Sequence, residues 1–247
     1  MSKKIPKTSR LSVAFALLLL LTFYTSAQDK KPESTPKTIS AFTEKMQKID
    51  GYMPLYWSAT EGKMYLEISR FNQEFLHQVS LPTGVGSNPI GLDRGQPGPT
   101  KVVFFQQVGN KILLVQPNYE FRALSNNPAE KKSVEESFAR SILWGFKVEA
   151  TEGEKVLVDA TNFLLRDAHG VADNLRQTQQ GAYGVDENRS AFYLPRTKGF
   201  PQNSEVEVTL TFATNGETGR LVGSVVPTAR AVTVRQHHSF VQLPDRS

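Results

Sequence analysis

The sequence predicts an α+β fold, mainly antiparallel β-sheet with hairpins and a few helices, preceded by a signal peptide. Three observations carry this. Short runs of alternating apolar and polar residues recur around Gly-containing turns, as in hairpins. One strong helix-start signal stands among them. The strand–helix alternation of a doubly wound fold is missing.

The N-terminus comes first. Lys3, Lys4, Lys7 and Arg10 form a positive region, residues 11–24 are apolar, and Thr25-Ser26-Ala27 supplies small residues for cleavage. The apolar stretch is 14 residues, short of the roughly 20 that span a bilayer. Residues 1–27 therefore read as a signal peptide, with export to the periplasm or outside the cell and no stable membrane span after cleavage. Residues 28–38, charged and Pro-containing, read as a flexible spacer.

Ile39, Phe42, Met46 and Ile49 follow at helical spacing, with Gly51 as a stop. Residues 54–59 and 63–70 flank Thr60-Glu61-Gly62 as a hairpin; Met64, Leu66 and Ile68 alternate with Tyr65, Glu67 and Ser69, the pattern of a half-buried strand. Residues 75–81 suit either a short helix or a strand. Five glycines and four prolines crowd residues 82–100, which marks a boundary between a small helix-plus-hairpin unit, 39–86, and a larger α+β domain, 87–247.

Within the larger part, residues 101–107 and 111–116 surround Gly109-Asn110 as strands buried on both faces. Asn127, Pro128 and Glu130 give a cap, a first helical position and a capping-box carboxylate. Val134, Phe138 and Ile142 continue that helix on one face. Residues 144–150 and 155–159 form another hairpin; 161–168 and 171–179 read as short helices. Residues 190–194, 205–213, 221–226 and 229–241 read as strands, the last an exposed edge in the absence of a following neighbour.

The chain has 29 basic and 24 acidic residues. Removing the four basic residues of the leader leaves 25 against 24, so the mature charge is near neutral and nucleic-acid binding has no support. No cysteine is present, which excludes disulfides, thiolate chemistry and a lipid-modified cysteine. The roughly 220 residues after the leader must be held by burial, and a chain that long can do so.

Candidate sites were tested against the chemistry they would need. Gly84-Val85-Gly86-Ser87-Asn88-Pro89 places Pro where a dinucleotide loop needs its third Gly, and no Gly-Lys-Ser/Thr follows. His77, His169, His237 and His238 include no His-Glu-x-x-His pair. His237 and His238 are adjacent in a strand and point to opposite faces. There is no Gly-x-Ser-x-Gly elbow. Asp93, Asp159 and Asp167 could pair for acid/base work, though Asp159 reads more simply as a cap for the segment from Thr161. Asn188-Arg189-Ser190 matches a glycosylation sequon. The residues select no catalytic, cofactor-binding or metal-binding set.

Several segments, in order, resemble the N-terminal region of large exported bacterial zinc-dependent metalloproteases of the metzincin type. Gly51-Tyr52-Met53-Pro54-Leu55-Tyr56 and Lys63-Met64-Tyr65-Leu66-Glu67-Ile68 resemble the first of two uncharacterised domains that precede the protease. Gly91-Leu92-Asp93-Arg94-Gly95, Ser137-Phe138-Ala139-Arg140-Ser141, Val156-Leu157-Val158-Asp159, the segment from Phe200 to Val206 and Val234-Arg235-Gln236-His237-His238-Ser239-Phe240 resemble the second and its exit. The resemblance implies a non-catalytic region for folding, latency or substrate presentation, cut short before the catalytic domain. Zinc and the catalytic Glu are then expected only in that downstream domain, the implied partner in cis or as a separate chain. The rival expectation is a stand-alone exported binding or scaffold module.

Overall fold

Gly62, Gly109 and Gly153 hold positive φ angles of 66°, 57° and 61°, the left-handed backbone that tight hairpin turns require. Each sits between two strands that the alternation predicts. The computed structural model describes residues 37–244, so the expected signal peptide and nearly all of the spacer lie outside the described residues. The strands are β1 (Gln47–Ile49), β2 (Leu55–Ser58), β3 (Lys63–Ile68), β4 (Phe75–Thr83), β5 (Gln96–Val108), β6 (Lys111–Gln116), β7 (Ser141–Glu152) and β8 (Lys155–Asp159). β9 (Gly184–Val185), β10 (Ala191–Phe192), β11 (Lys198–Phe200), β12 (Asn203–Ala213) and β13 (Ala231–Gln242) complete them. The helices are α1 (Ile39–Thr43), α2 (Pro128–Ser137), α3 (Thr161–Leu164), α4 (Val171–Gln177) and α5 (Arg220–Val225).

All thirteen strands join one sheet in the order β1-β2-β3-β8-β7-β6-β5-β4-β13-β12-β10, with β9 and β11 also on β12. Every strand pairing is antiparallel. The sheet curls until its ends meet, so it is nearly closed and barrel-like. Tyr52 N–H donates to the Phe200 carbonyl at 2.8 Å. Ser204 Oγ accepts from Met53 N–H at 3.0 Å and donates to the Met53 carbonyl at 2.8 Å. Trp57 of β2 meets Phe192 of β10 edge-on at 5.4 Å.

The interior is one continuous apolar core, with Leu55, Met64, Phe75, Phe105, Leu114, Phe146, Val208, Phe212 and Phe240 among its side chains. Phe163 and Leu164 of α3 and Val171 and Leu175 of α4 plug it. Outside the sheet, α1 lays Ile39 on Tyr56, Tyr65, Ala150 and Leu157 as a second small cluster. β3 is therefore buried on both faces, where the alternation predicted one.

Several expectations are corrected. The supposed boundary at 86/87 connects β4 to its sheet neighbour β5, and Pro36–Ser247 forms one compact unit. The glycine- and proline-rich segment is a packed connection whose Ile90 and Leu92 reach the core. Helix α1 stops at Thr43, and Ile49 belongs to β1. Helix α2 starts as predicted, with Asn127 Oδ1 accepting from Ala129 N–H at 3.0 Å. It ends at Ser137 with no buried residue; Phe138 caps it and Ile142 lies in β7, so their four-residue spacing was coincidental. Residues 221–226 are not a strand but helix α5 with its C-cap, tied down by Gln180 Oε1 accepting from Leu221 N–H at 3.0 Å. β13 is no edge. It pairs with β12 along its length and with β4 on the other side.

This architecture separates core from surface aromatics. Phe240→Ala should cost about 3–5 kcal/mol in urea unfolding, the range for buried Phe truncation, because Phe240 is 1% exposed and packs on Phe75, His77 and Phe163. Phe138→Ala should change stability by no more than about 0.5 kcal/mol. Equal costs would contradict the surface placement of α2.

Candidate functional site

β13 alternates, and its two faces carry two different polar clusters. Gln236 and His238 point inward and are fully buried; Arg235, His237 and Ser239 point outward.

Inside, His77 of β4 stacks on His238 with ring centroids 5.4 Å apart, and His77 Nε2 lies 3.1 Å from His238 Nδ1. His238 Nε2 lies 3.0 Å from the Leu164 carbonyl. Gln236 Nε2 lies 2.9 Å from the same ring nitrogen, so His238 Nε2 meets one acceptor and one donor, and its tautomer sets which of them it bonds and whether Nδ1 accepts from or donates to His77. Gln236 closes the cluster: Oε1 accepts from Ala168 and His169 N–H, both at 2.9 Å, and Nε2 donates to the Arg166 carbonyl at 3.0 Å. Arg166 spreads its guanidinium over Phe163 at 4.5 Å and Trp144 at 5.3 Å. Burial, with the positive charges of Arg166 and Lys101, pushes His77 down to about 3. Burial beside His77 holds His238 well below the ordinary histidine range. Both rings are neutral at pH 7. The cluster fastens α3 and the turn before α4 to the sheet.

Outside, Glu205 accepts from His237 Nε2, Ser239 Oγ and Asn203 Nδ2, each at 2.5 Å. Burial pushes its carboxyl up, but the three donors outweigh burial and hold it below its ordinary value. Glu207 takes Arg235 at 3.1 Å. The arrangement is not that of an activated nucleophile, since Ser239 donates to the carboxylate and not to His237.

The other sequence candidates serve the fold. Asp167 accepts from the N–H groups of Gly170, Val171 and Ala172, each at 2.8 Å, at the start of α4. Asp159 accepts from Thr161 N–H at 2.9 Å, the predicted cap. Among the described residues no hydrogen bond or ion pair joins Asp93, Asp159 and Asp167. His169 lies against the backbone at Gly98, where a Cβ would come within 2.6 Å of its ring. At Gly84 a Cβ would come within 2.1 Å of the Leu92 carbonyl, so that glycine serves close backbone contact, while Gly86, Gly91 and Gly95 hold positive φ angles. Asn188 lies exposed in a 3-10 turn, Glu187–Arg189. Among the described residues no group of three or more His, Asp or Glu side chains could hold a metal ion.

One open surface remains, and sequence reasoning missed it. Between β6 and β7 the chain leaves the sheet as an excursion, residues 117–140, that includes α2. Phe121 and Phe138 stack on each other at 3.9 Å on its surface, and Leu124 is 97% exposed. Two cavities of about 430 and 340 Å³ share Pro117, Asn118 and Tyr119 and run along this excursion. The first is floored by Thr100, Lys101 and Val102 of β5.

A family model described as a domain of unknown function, DUF5117, matches residues 95–247. The chain belongs to the DUF5117 family. The matched DUF5117 segment spans β5 to β13 and holds the excursion, His169 and the outer cluster. His77 lies on β4, outside it, so the inner pair is formed across the limit of the match. No curated protein and no solved structure matches the chain.

The buried histidines make stability depend on pH. The unfolded chain takes up protons as pH falls below the ordinary histidine value of about 6.5, whereas folded His77 resists until about 3. Stability is therefore full above pH ~6.5 and falls by up to about 1.4 kcal/mol per pH unit per buried ring below it. Urea unfolding at pH 7 and pH 5 should show this loss. His77→Gln, whose amide can donate to or accept from His238, should show a shallower loss; an unchanged slope would remove His77 as its source.

Proposed function

We propose that this chain is the non-catalytic region of an exported zinc-dependent metalloprotease of the metzincin type, supporting a catalytic domain that carries the zinc. The resemblance of ordered segments from Gly51 to Phe240 motivates the protease association. One structural observation supports the non-catalytic part: apart from His169, whose ring nitrogens have no hydrogen-bond partner, the histidines and most carboxylates that could have formed a site are bonded within the fold. His77 and His238 bond each other in the core, Asp159 and Asp167 cap helices, and Glu205 takes three internal donors. General acid–base catalysis needs such groups within reach of a substrate proton, and here the two core histidines meet each other while the carboxylates hold donors of the chain itself.

A second reading, a stand-alone exported binding or scaffold module, is favoured by the pairing of β13 on both sides. From Arg235 to Val241 β13 has a neighbour on each side.

Two measurements separate these readings. Sequencing the DNA beyond the Ser247 codon should find His-Glu-x-x-His-x-x-Gly-x-x-His nearby if the protease reading holds; its absence in every frame leaves the binding module. The purified chain, supplied with zinc, should not cleave casein. Cleavage abolished by a chelator would overturn both.

A further inference from the structure

We propose that the groove between β5 and the 117–140 excursion binds an extended, acidic and apolar polypeptide segment, added to the open edge of β5 where β6 stops.

The edge is a consequence of pairing. β5 runs from Gln96 to Val108, but β6 pairs only with Phe104 to Val108. Between residues 96 and 103 β5 pairs with β4 on one side, with an irregularity near Gly98, and on the other side Thr100, Lys101 and Val102 line the cavity of about 430 Å³. β6 stops because Pro117 has no N–H to continue the ladder. Pro97 and Pro99 lack N–H groups at the far end of the strand, which leaves alternate residues of Thr100 to Val102 to direct N–H and C=O toward the open side. An incoming strand would continue the line of β6, antiparallel to β5, in the manner of β-strand addition.

Side chains around the edge specify what that strand carries. Phe121, Phe138 and Leu124 offer apolar surface that packs on nothing in the core. Lys101, Arg122 and Lys131 line the two cavities without an ion pair among the described residues, against one such carboxylate, Glu120; Glu135 is taken by Arg140. Three cations against one anion select acidic residues beside apolar ones. A second open edge, residues 231–234 of β13 on the β4 side, makes the contrast. There the chain's own Val225–Thr228 turn lies over the edge, and the lining has no charged residue. Among the described residues an open edge, exposed aromatics and cations without an ion pair coincide at β5. The proposal does not depend on whether a protease domain works beside this chain.

The test uses the full chain and two permanently unfolded polypeptides: reduced, carboxymethylated α-lactalbumin, which is acidic, and reduced, amidomethylated ribonuclease A, which is basic. Fluorescence anisotropy should show binding of the acidic polypeptide, weakened at least about tenfold by Phe121→Ser with Phe138→Ser, the loss expected for central aromatic contacts. Arg122→Glu with Lys131→Glu should weaken the acidic polypeptide similarly and improve the basic one. This charge pair lies on the solvent face and serves as the second variant if the Phe pair fails to fold. Binding of neither polypeptide, or equal binding by wild type and both variants, would overturn the proposal. So would a concentration-dependent dimer in sedimentation that the Phe variants dissolve, since a second copy would then be the occupant.

Discussion

A large antiparallel sheet with one apolar face must hide that face, and in a chain without cysteine only burial can hold the cover in place. This molecule meets the constraint by bringing its sheet ends together. The contact is narrow: Ser204 exchanges two hydrogen bonds with Met53, while Gly51 and Gly199 pass so closely that a Cβ on Gly199 would lie 1.9 Å from the Asp50 carbonyl. No side chain larger than hydrogen fits that crossing without moving backbone. Because the ends meet there, β1–β3 and β9–β12 wall a common interior, and α3 and α4 are left to plug it. Everything inside depends on that crossing.

The β12–β13 hairpin translates closure into two chemistries. Strand periodicity of two places successive residues of β13 on opposite faces. His238 and Gln236 thus enter a space where burial disfavours charge, and His237 and Arg235 emerge beside the carboxylates of Glu205 and Glu207. Adjacent histidines consequently have opposite duties. The inner one ties helices to strands, and the outer one hydrogen-bonds Glu205 across the ladder. Neither duty leaves a group poised against substrate.

Much of this was legible in the residues, and the limits have physical reasons. Turn chemistry revealed the β2–β3, β5–β6 and β7–β8 hairpins, since Gly62, Gly109 and Gly153 occupy positions that demand positive φ. The opposite facing of His237 and His238 and the Asp159 cap followed from local geometry. Long-range pairing was not legible. Nothing near residue 86 shows that β4 will lie between β5 and a strand more than 140 residues later, so a flexible-looking connection was taken for a boundary. Residues 221–226 have the β-branched content of a strand, yet Gln180, 41 residues away from Leu221, satisfies the first N–H groups of a helix there. Val134, Phe138 and Ile142 mimicked a helical stripe because a short helix, its cap and a strand happen to follow at equal spacing. The groove was illegible for the same reason: its floor comes from β5 and its walls from residues beyond β6.

The open edge of β5 is tied to closure as well. Strands in a closing sheet tilt and stagger, so a long strand changes partners along its length. β5 does this at residues 103–104, passing from β4 to β6, and any such change uncovers backbone on one side. A fold can border such a gap with its own uncharged chain, as the Val225–Thr228 turn does beside β13. At β5 the chain instead departs at Pro117 and returns at Ser141, setting aromatic and cationic side chains beside the gap without filling it. An exposed strand edge is an association hazard that proteins normally blunt, and here Pro97 and Pro99 blunt only part of it. The three residues left open lie where the excursion supplies apolar surface and charge. That coincidence makes the edge more simply a place for another strand than a fault in the sheet.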